Sequence, residues 1–197
     1  MKGVCPVLVE LNVCKRSDAA LHNVNMFFRC NSLDDCLRKA RAEFQCPGDP
    51  DIWLTLTNSR RQQINKEENE RLAPEGSRLV DAKDGPMLLY EGAPLIGMKI
   101  QRPVLNGVRY TVQAATDQGL HLLDDRKEPV FVHWCVATKS LALGYAITIM
   151  KSQSLTLPGH VRICPGFFPG QVHTHFSTNH LLVAASRATA LDKLSIE

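Results

Sequence analysis

The hydrophobic and polar positions along this chain change period several times, and each change predicts a new element. Val7 to Leu11 is a short apolar run that reads as a strand. After Cys14-Lys15-Arg16-Ser17-Asp18, apolar residues recur at Leu21, Val24, Met26 and Phe28. That predicts a helix to about Arg29, capped by Ser17 or Asp18, whose side-chain oxygens can accept from first-turn amides. Asn31-Ser32 caps a second helix from Leu33 to Phe44, which the Pro47 and Pro50 region ends. Ile52, Trp53, Leu54 and Leu56 then read as a strand, and Asn58-Ser59 as the cap of a helix to Leu72 with a strongly charged second half.

Between Leu79 and Val136 the runs shorten and turns crowd in. Strands are expected at Met87 to Tyr90, Pro94 to Ile100, Val108 to Ala115, Gly119 to Leu123 and Val130 to Trp134. Asn106-Gly107 is a tight-turn signal, because both residues tolerate positive φ. Short strands so closely spaced suggest a small β-barrel. The expectation is an α/β fold, a parallel sheet flanked by helices, made by residues 1–78 and 137–197 and interrupted by a barrel over 79–136.

Two stretches near the C-terminus carry the candidate chemistry. Leu141 to Leu157 starts apolar and ends in a polar knot, Thr148, Lys151, Ser152, Gln153 and Ser154. An apolar segment whose polar groups crowd at one end suits delivery of hydrogen-bond donors to a ligand. Leu181 to Ala185 repeats the form and ends in Ser186-Arg187. An arginine at the mouth of an apolar element suits phosphate, since its planar fork pairs with phosphate oxygens.

Composition narrows this only a little. The net charge of +3 permits an anionic partner without demanding one. The seven cysteines contain no Cys-x-x-Cys pair, and their odd number, with no signal peptide in view, points to a reducing, intracellular setting. No apolar run approaches a membrane span, so no membrane partner is expected. Gly92 and Gly97 have the spacing of a phosphate-binding loop, but Met98 stands where lysine is required. No other such loop exists, and no apolar strand ends in Asp-Glu, so the groups that grip a triphosphate and its metal are missing. His173, His175 and His180 near Cys164 offer zinc-type donors without a spacing that fixes a fourth ligand, and no metal site is expected. No Ser-His-Asp or Cys-His order stands out.

Ala146-Ile-Thr-Ile-Met-Lys-Ser-Gln-Ser-Leu-Thr-Leu157 and Val183-Ala-Ala-Ser-Arg-Ala-Thr-Ala-Leu-Asp-Lys-Leu-Ser-Ile196 resemble the fifth and sixth motifs of the RecD-like and PIF-like superfamily 1 DNA helicases. Thr57-Asn58-Ser59-Arg60-Arg61-Gln62-Gln63-Ile64-Asn65 is similar to a further segment of that family, and Gly92-Ala93-Pro94-Leu95-Ile96 with Asn106-Gly107 to the entry of its insert. The resemblance runs from about Val7 to Ile196 and implies a RecA-like second motor domain. It implies ATP and magnesium held mainly by an N-terminal motor domain outside this sequence, in the same polypeptide or in a partner chain. Arg187 and Arg16 would then be arginine fingers on the ATP, with Gln153 and Ser186 lining its cleft. Arg16 reads equally as part of a solvated Lys-Arg turn. Thr57, Asn58, Arg60, Thr148, Lys151 and Ser152 would bind the backbone of single-stranded DNA. Asn58 reads equally as a helix cap. The insert would touch the strand through Lys99 and Arg109, with Arg102 beside them.

The sequence also departs from the family. Met150 stands at a usual histidine, Ser154 at a usual glycine and Ala185 at a larger apolar residue, and Val172 to His180 is a polar insertion. Two functions follow. One is the C-terminal half of an ATP-dependent DNA helicase, engaged in replication or repair. The other is a catalytically inactive module of the same fold that binds single-stranded nucleic acid on its own.

Overall fold

Asp18 opens the first described helix as its cap, its carboxylate accepting from the Leu21 amide at 2.7 Å. The computed structural model describes residues 17–168 and 170–197. In order, the elements are α1 (Ala19–Cys30), α2 (Leu33–Glu43), β1 (Ile52–Thr55), α3 (Asn58–Leu72), β2 (Arg78–Ala82), β3 (Gly85–Leu89), β4 (Pro94–Gly97) and β5 (Arg109–Ala115). Then come β6 (Gly119–Asp124), β7 (Pro129–His133), α4 (Trp134–Ser140), β8 (Leu141–Leu143), β9 (Ala146–Thr148), β10 (Val161–Cys164), α5 (Thr178–Ala185) and β11 (Leu194–Ile196). The strand expected at Val7 to Leu11, and Arg16, lie outside the described residues. Among the described residues no helix is long and apolar enough to cross a membrane.

The α/β part is a four-stranded sheet in the order β11-β10-β1-β9, with every pairing parallel. Alternation along the strands assigns their faces. Ile52, Leu54, Ile147, Ile149, Val161 and Ile163 share one buried cluster with Leu21, Val24 and Phe28 of α1, Leu37 and Ala40 of α2, and Leu181 and Ala184 of α5. Trp53, Ala146 and Cys164 face the other way and meet Ile64 of α3. Burying one such Leu or Ile side chain stabilises the fold by roughly 1.5–3 kcal/mol, so this face holds the sheet and helices together. Met26, expected on the apolar side of α1, is 43% exposed, because Leu21, Val24 and Phe28 already fill that side.

The remaining strands are antiparallel. Five form a sheet in the order β7-β6-β5-β4-β8, and β2 and β3 form a hairpin beside it. Both share a core that includes Met87, Leu89, Leu95, Val112, Leu120 and Val132. The strands expected between Met87 and Trp134 all form, but the barrel does not close: β7 and β8 are edges, and no pairing among the described residues joins them. The sheet also reaches beyond residue 136, because Leu141 to Leu143 pair with β4 while Ala146 to Thr148 pair with β1. The apolar stretch that looked continuous is therefore shared between two sheets. Gly144 marks the crossing, where a Cβ would stand 3.1 Å from the Leu95 carbonyl carbon. Only glycine fits that approach without displacing β4.

Candidate nucleic-acid interface

The carboxyl ends of parallel strands are where open α/β sheets bind ligands. Here β1 and β9 end side by side, with Thr55 opposite Thr148. The chain leaves β1 and enters α3 at once. The cap of α3 is Thr57, not Asn58 as the sequence suggested; its hydroxyl accepts from the Arg60 amide at 3.3 Å. Asn58 is exposed in the first turn, and its side-chain oxygen accepts from Arg61 Nε at 3.3 Å. The N-terminus of α3, with its unpaired amides and dipole, thus lies at the carboxyl edge of the sheet, where it favours an anion.

The turn after β9 closes on itself. Thr148 Oγ1 accepts from the Lys151 amide at 3.2 Å, and its carbonyl accepts from the Ser152 amide at 3.0 Å. The Lys151 ammonium donates to the side-chain oxygen of Asn106, in the β4–β5 connection, so the cation spans from the parallel sheet to the antiparallel one. Burial, with Arg61 nearby, pushes the Lys151 pKa below the usual lysine range. Thr57, Asn58, Thr148 and Lys151 therefore lie at or just after adjacent strand ends.

Other expected residues lie elsewhere. Arg60 is buried and reaches the Glu197 carboxylate at 3.4 Å, turned in from the exposed side of α3. Ser152 is fully buried and donates to the Ile149 carbonyl at 2.7 Å, so its hydroxyl shapes the turn. Arg109 is half-buried on β5, opposite Ile96, and burial pushes its pKa below the usual arginine range. Lys99 is exposed after β4. Gln153 is exposed beyond Lys151, beside Met150, which is 61% exposed.

Ser186 and Arg187 follow α5. Arg187 donates to the carbonyls of Val183 and Leu155 at 3.2 and 3.3 Å and to the Ser186 hydroxyl at 2.9 Å. The Ser186 hydroxyl itself donates to the Val183 carbonyl at 2.9 Å. The bond to Leu155 sets Arg187 beside the segment that carries Gln153. Among the described residues no group of three His, Cys, Asp or Glu side chains could hold a metal. The His173 and His175 rings lie 5.4 Å apart, tilted by 39°, while burial pushes the Cys164 thiol well up, away from the thiolate a metal needs.

A stripe on α3 escaped the sequence reading. Arg61, Asn65 and Asn69 recur every four residues and are all buried. Arg61 makes a two-pronged ion pair with Asp84 at 2.7 and 2.8 Å, in the β2–β3 turn. Asn65 brackets Ala146 of β9, donating to its carbonyl at 3.1 Å and accepting from its amide at 2.8 Å. Asn69 brackets Leu88 of β3 in the same way, at 2.9 and 2.8 Å. The signal was present as polar residues at helical spacing, on a helix with a single buried apolar residue, Ile64. The amino end of the parallel sheet holds another missed pair, where the Ser195 hydroxyl meets His160 Nε2 at 2.7 Å and accepts from Arg162 Nε at 2.9 Å. Both Ser195 and His160 are buried, so the pair closes polar groups within the fold.

No protein-family model and no curated protein matches the sequence. Solved structures do. A Pif1 helicase from work on unwinding of forked duplex DNA by two coordinating Pif1 helicases matches with a TM-score of 0.69 and 21% identity, over 94% of this chain and 48% of that one. Pif1 helicase from Bacteroides, in complex with ADP-AlF3 and single-stranded DNA, matches with a TM-score of 0.68 and 19% identity, over 96% and 51%. The fold is one found in Pif1 helicases. Pif1 helicase from Candida albicans agrees, with a TM-score of 0.67 and 17% identity over 91% of this chain and 53% of that one. The chain thus spans about half the length of the Pif1 helicases it matches. At these identities the likeness to Pif1 is one of fold.

Proposed function

We propose that this chain is the strand-holding half of an ATP-driven DNA helicase motor of the Pif1 type. The observation that carries this is the pairing of a fold match to a Pif1 helicase bound to nucleotide analogue and single-stranded DNA with an anion-favouring edge at the carboxyl ends of β1 and β9. There α3 starts just after β1 and the Lys151 turn just after β9, with Thr55 paired to Thr148. Thr57, Asn58, Thr148 and Lys151 hold the sugar-phosphate backbone, which positions a strand without reading its sequence. Arg187, steadied by Ser186 and the carbonyl of Leu155, faces the nucleotide cleft with Gln153, and Arg16 is assigned there on its sequence motif alone. ATP supplies the free energy for closing and opening the cleft. Its phosphates and magnesium are assigned to the other motor domain, since this sequence carries no phosphate-binding loop. This chain's own part is to present Arg187 to developing negative charge and to carry the strand as the domains move.

The test uses the chain together with a competent first motor domain. DNA-stimulated ATP hydrolysis should appear on mixing or fusion and fall by about 10³-fold or more in Arg187→Ala, as for other arginine fingers. Hydrolysis no higher than that of the first domain alone would sink the motor reading. A second reading, a module that binds strands without nucleotide, is favoured by the exposed Met150 and by Ser154 at a position where the motif has glycine. It predicts strand affinity indifferent to nucleotide in that same mixture.

A further inference from the structure

We propose that Lys83, Lys99 and Lys139 form a second phosphate-binding cleft, which takes the backbone of a single strand beyond the Lys151 turn. The proposal rests on the strand-holding reading above and extends it from Lys99, which the resemblance already implied, to Lys83 and Lys139, which no motif suggested. A cleft of about 230 Å³ is lined by Lys83, Asp84, Met98, Lys99, Lys139 and Leu141. Its cations come from three separate elements: the β2–β3 turn, the residues after β4, and the last turn of α4.

Backbone bonds fix this convergence. The Lys83 amide donates to the Thr138 carbonyl at 2.8 Å, and the Met98 amide to the Ser140 carbonyl at 2.7 Å. Lys139 therefore sits between the two residues that anchor its neighbours. All three lysines are exposed, and among the described residues none of them enters an ion pair. The one carboxylate in the cleft, Asp84, is already held by both prongs of Arg61. The cleft is thus left with uncompensated positive charge over an apolar floor of Met98 and Leu141.

Arg61 also connects the two sites. It donates to Asn58 at the strand edge and to Asp84 in the cleft, so a strand leaving Asn58 and Lys151 has the lysines on its route. Flexible ammonium groups hold phosphodiesters as point charges, without base selectivity.

The test is a salt titration of the chain's affinity for fluorescent oligothymidylate, read by anisotropy. Each lost phosphate contact on a single strand lowers the slope of log K against log salt by about 0.7. Lys83→Gln/Lys99→Gln/Lys139→Gln should lower it by about 2 and weaken binding at low salt by at least about tenfold. The triple Lys→Arg variant should keep both, and Lys127→Gln, on the distant β6–β7 turn, should change neither. Circular dichroism of each variant confirms that it folds. An unchanged slope in the triple Gln variant, with Lys151→Ala weakened, overturns the cleft and leaves the strand-holding reading intact. A wild-type chain that fails to bind the oligonucleotide at low salt overturns both.

Discussion

Ser154 has a φ of +77°, in the left-handed region that a side chain enters at a cost. It stands where the helicase motif has glycine, so the backbone has kept a glycine conformation without the glycine. Left-handed backbone costs a non-glycine residue about 1 kcal/mol, so Ser154→Gly should stabilise the chain by about that much and raise the thermal midpoint. A lower midpoint would mean that the Ser154 hydroxyl offsets the strain. Lys151, three residues earlier in its turn, makes a pH prediction. Burial and the nearby Arg61 disfavour its charged form, so its proton leaves at lower pH than that of an exposed lysine. The gap in strand affinity between wild type and Lys151→Ala should be full near neutral pH. It should close as pH rises into the alkaline range, before exposed lysines titrate. A gap that persists until they do would show that the ammonium is less buried than its contacts indicate.

At the scale of elements, α3 joins the two halves of the fold. Its hydrophobic contribution is small, and its buried face is the polar series Arg61, Asn65 and Asn69. Each reaches a different element: the β2–β3 turn, the edge strand β9, and β3. Asn65 matters most to the site, since Ala146 opens the strand that ends in Thr148. Asn65→Ala leaves a buried amide and carbonyl unpaired, which costs about 1–3 kcal/mol each way it is counted. Denaturant unfolding should show that loss, and strand affinity should fall even where the variant is fully folded, because β9 is no longer held against α3. Stability lost with affinity unchanged would make Asn65 a purely structural residue. The polar spacing was visible in the sequence, but the partners were not, because both are backbone groups distant along the chain.

At the scale of the whole molecule, the parallel and antiparallel sheets meet in the stretch from Leu141 to Thr148, and the candidate interface runs along that seam. Cysteine accessibility offers a check on the arrangement. Cys30 and Cys135 are exposed, while Cys36 and Cys164 are buried with thiols pushed up by burial. Brief alkylation of the native chain should label the first two and spare Cys36 and Cys164 until the chain is unfolded. Early labelling of Cys164 would contradict the packing of α3 on the parallel sheet.

The sequence alone determined many of the helices and strands, since period and caps are local: Asp18, Ser32, and the strands between Met87 and Trp134 lie where side-chain pattern and turn chemistry put them, whereas β2, α4 and β10 carried no such signal. It also marked Thr57, Asn58, Thr148 and Lys151 as candidates, because a motif fixes residue types at set spacings. Only the tertiary structure decided that Arg60 and Ser152 point inward, that Leu141 to Leu143 leave the parallel sheet, and that the antiparallel strands stay open. Burial and strand pairing depend on which distant segment arrives opposite, and residue type does not encode that. The convergence of Lys83, Lys99 and Lys139 is of the same kind. Backbone bonds between segments far apart in the chain bring them together, so the resemblance that marked Lys99 announces neither Lys83 nor Lys139.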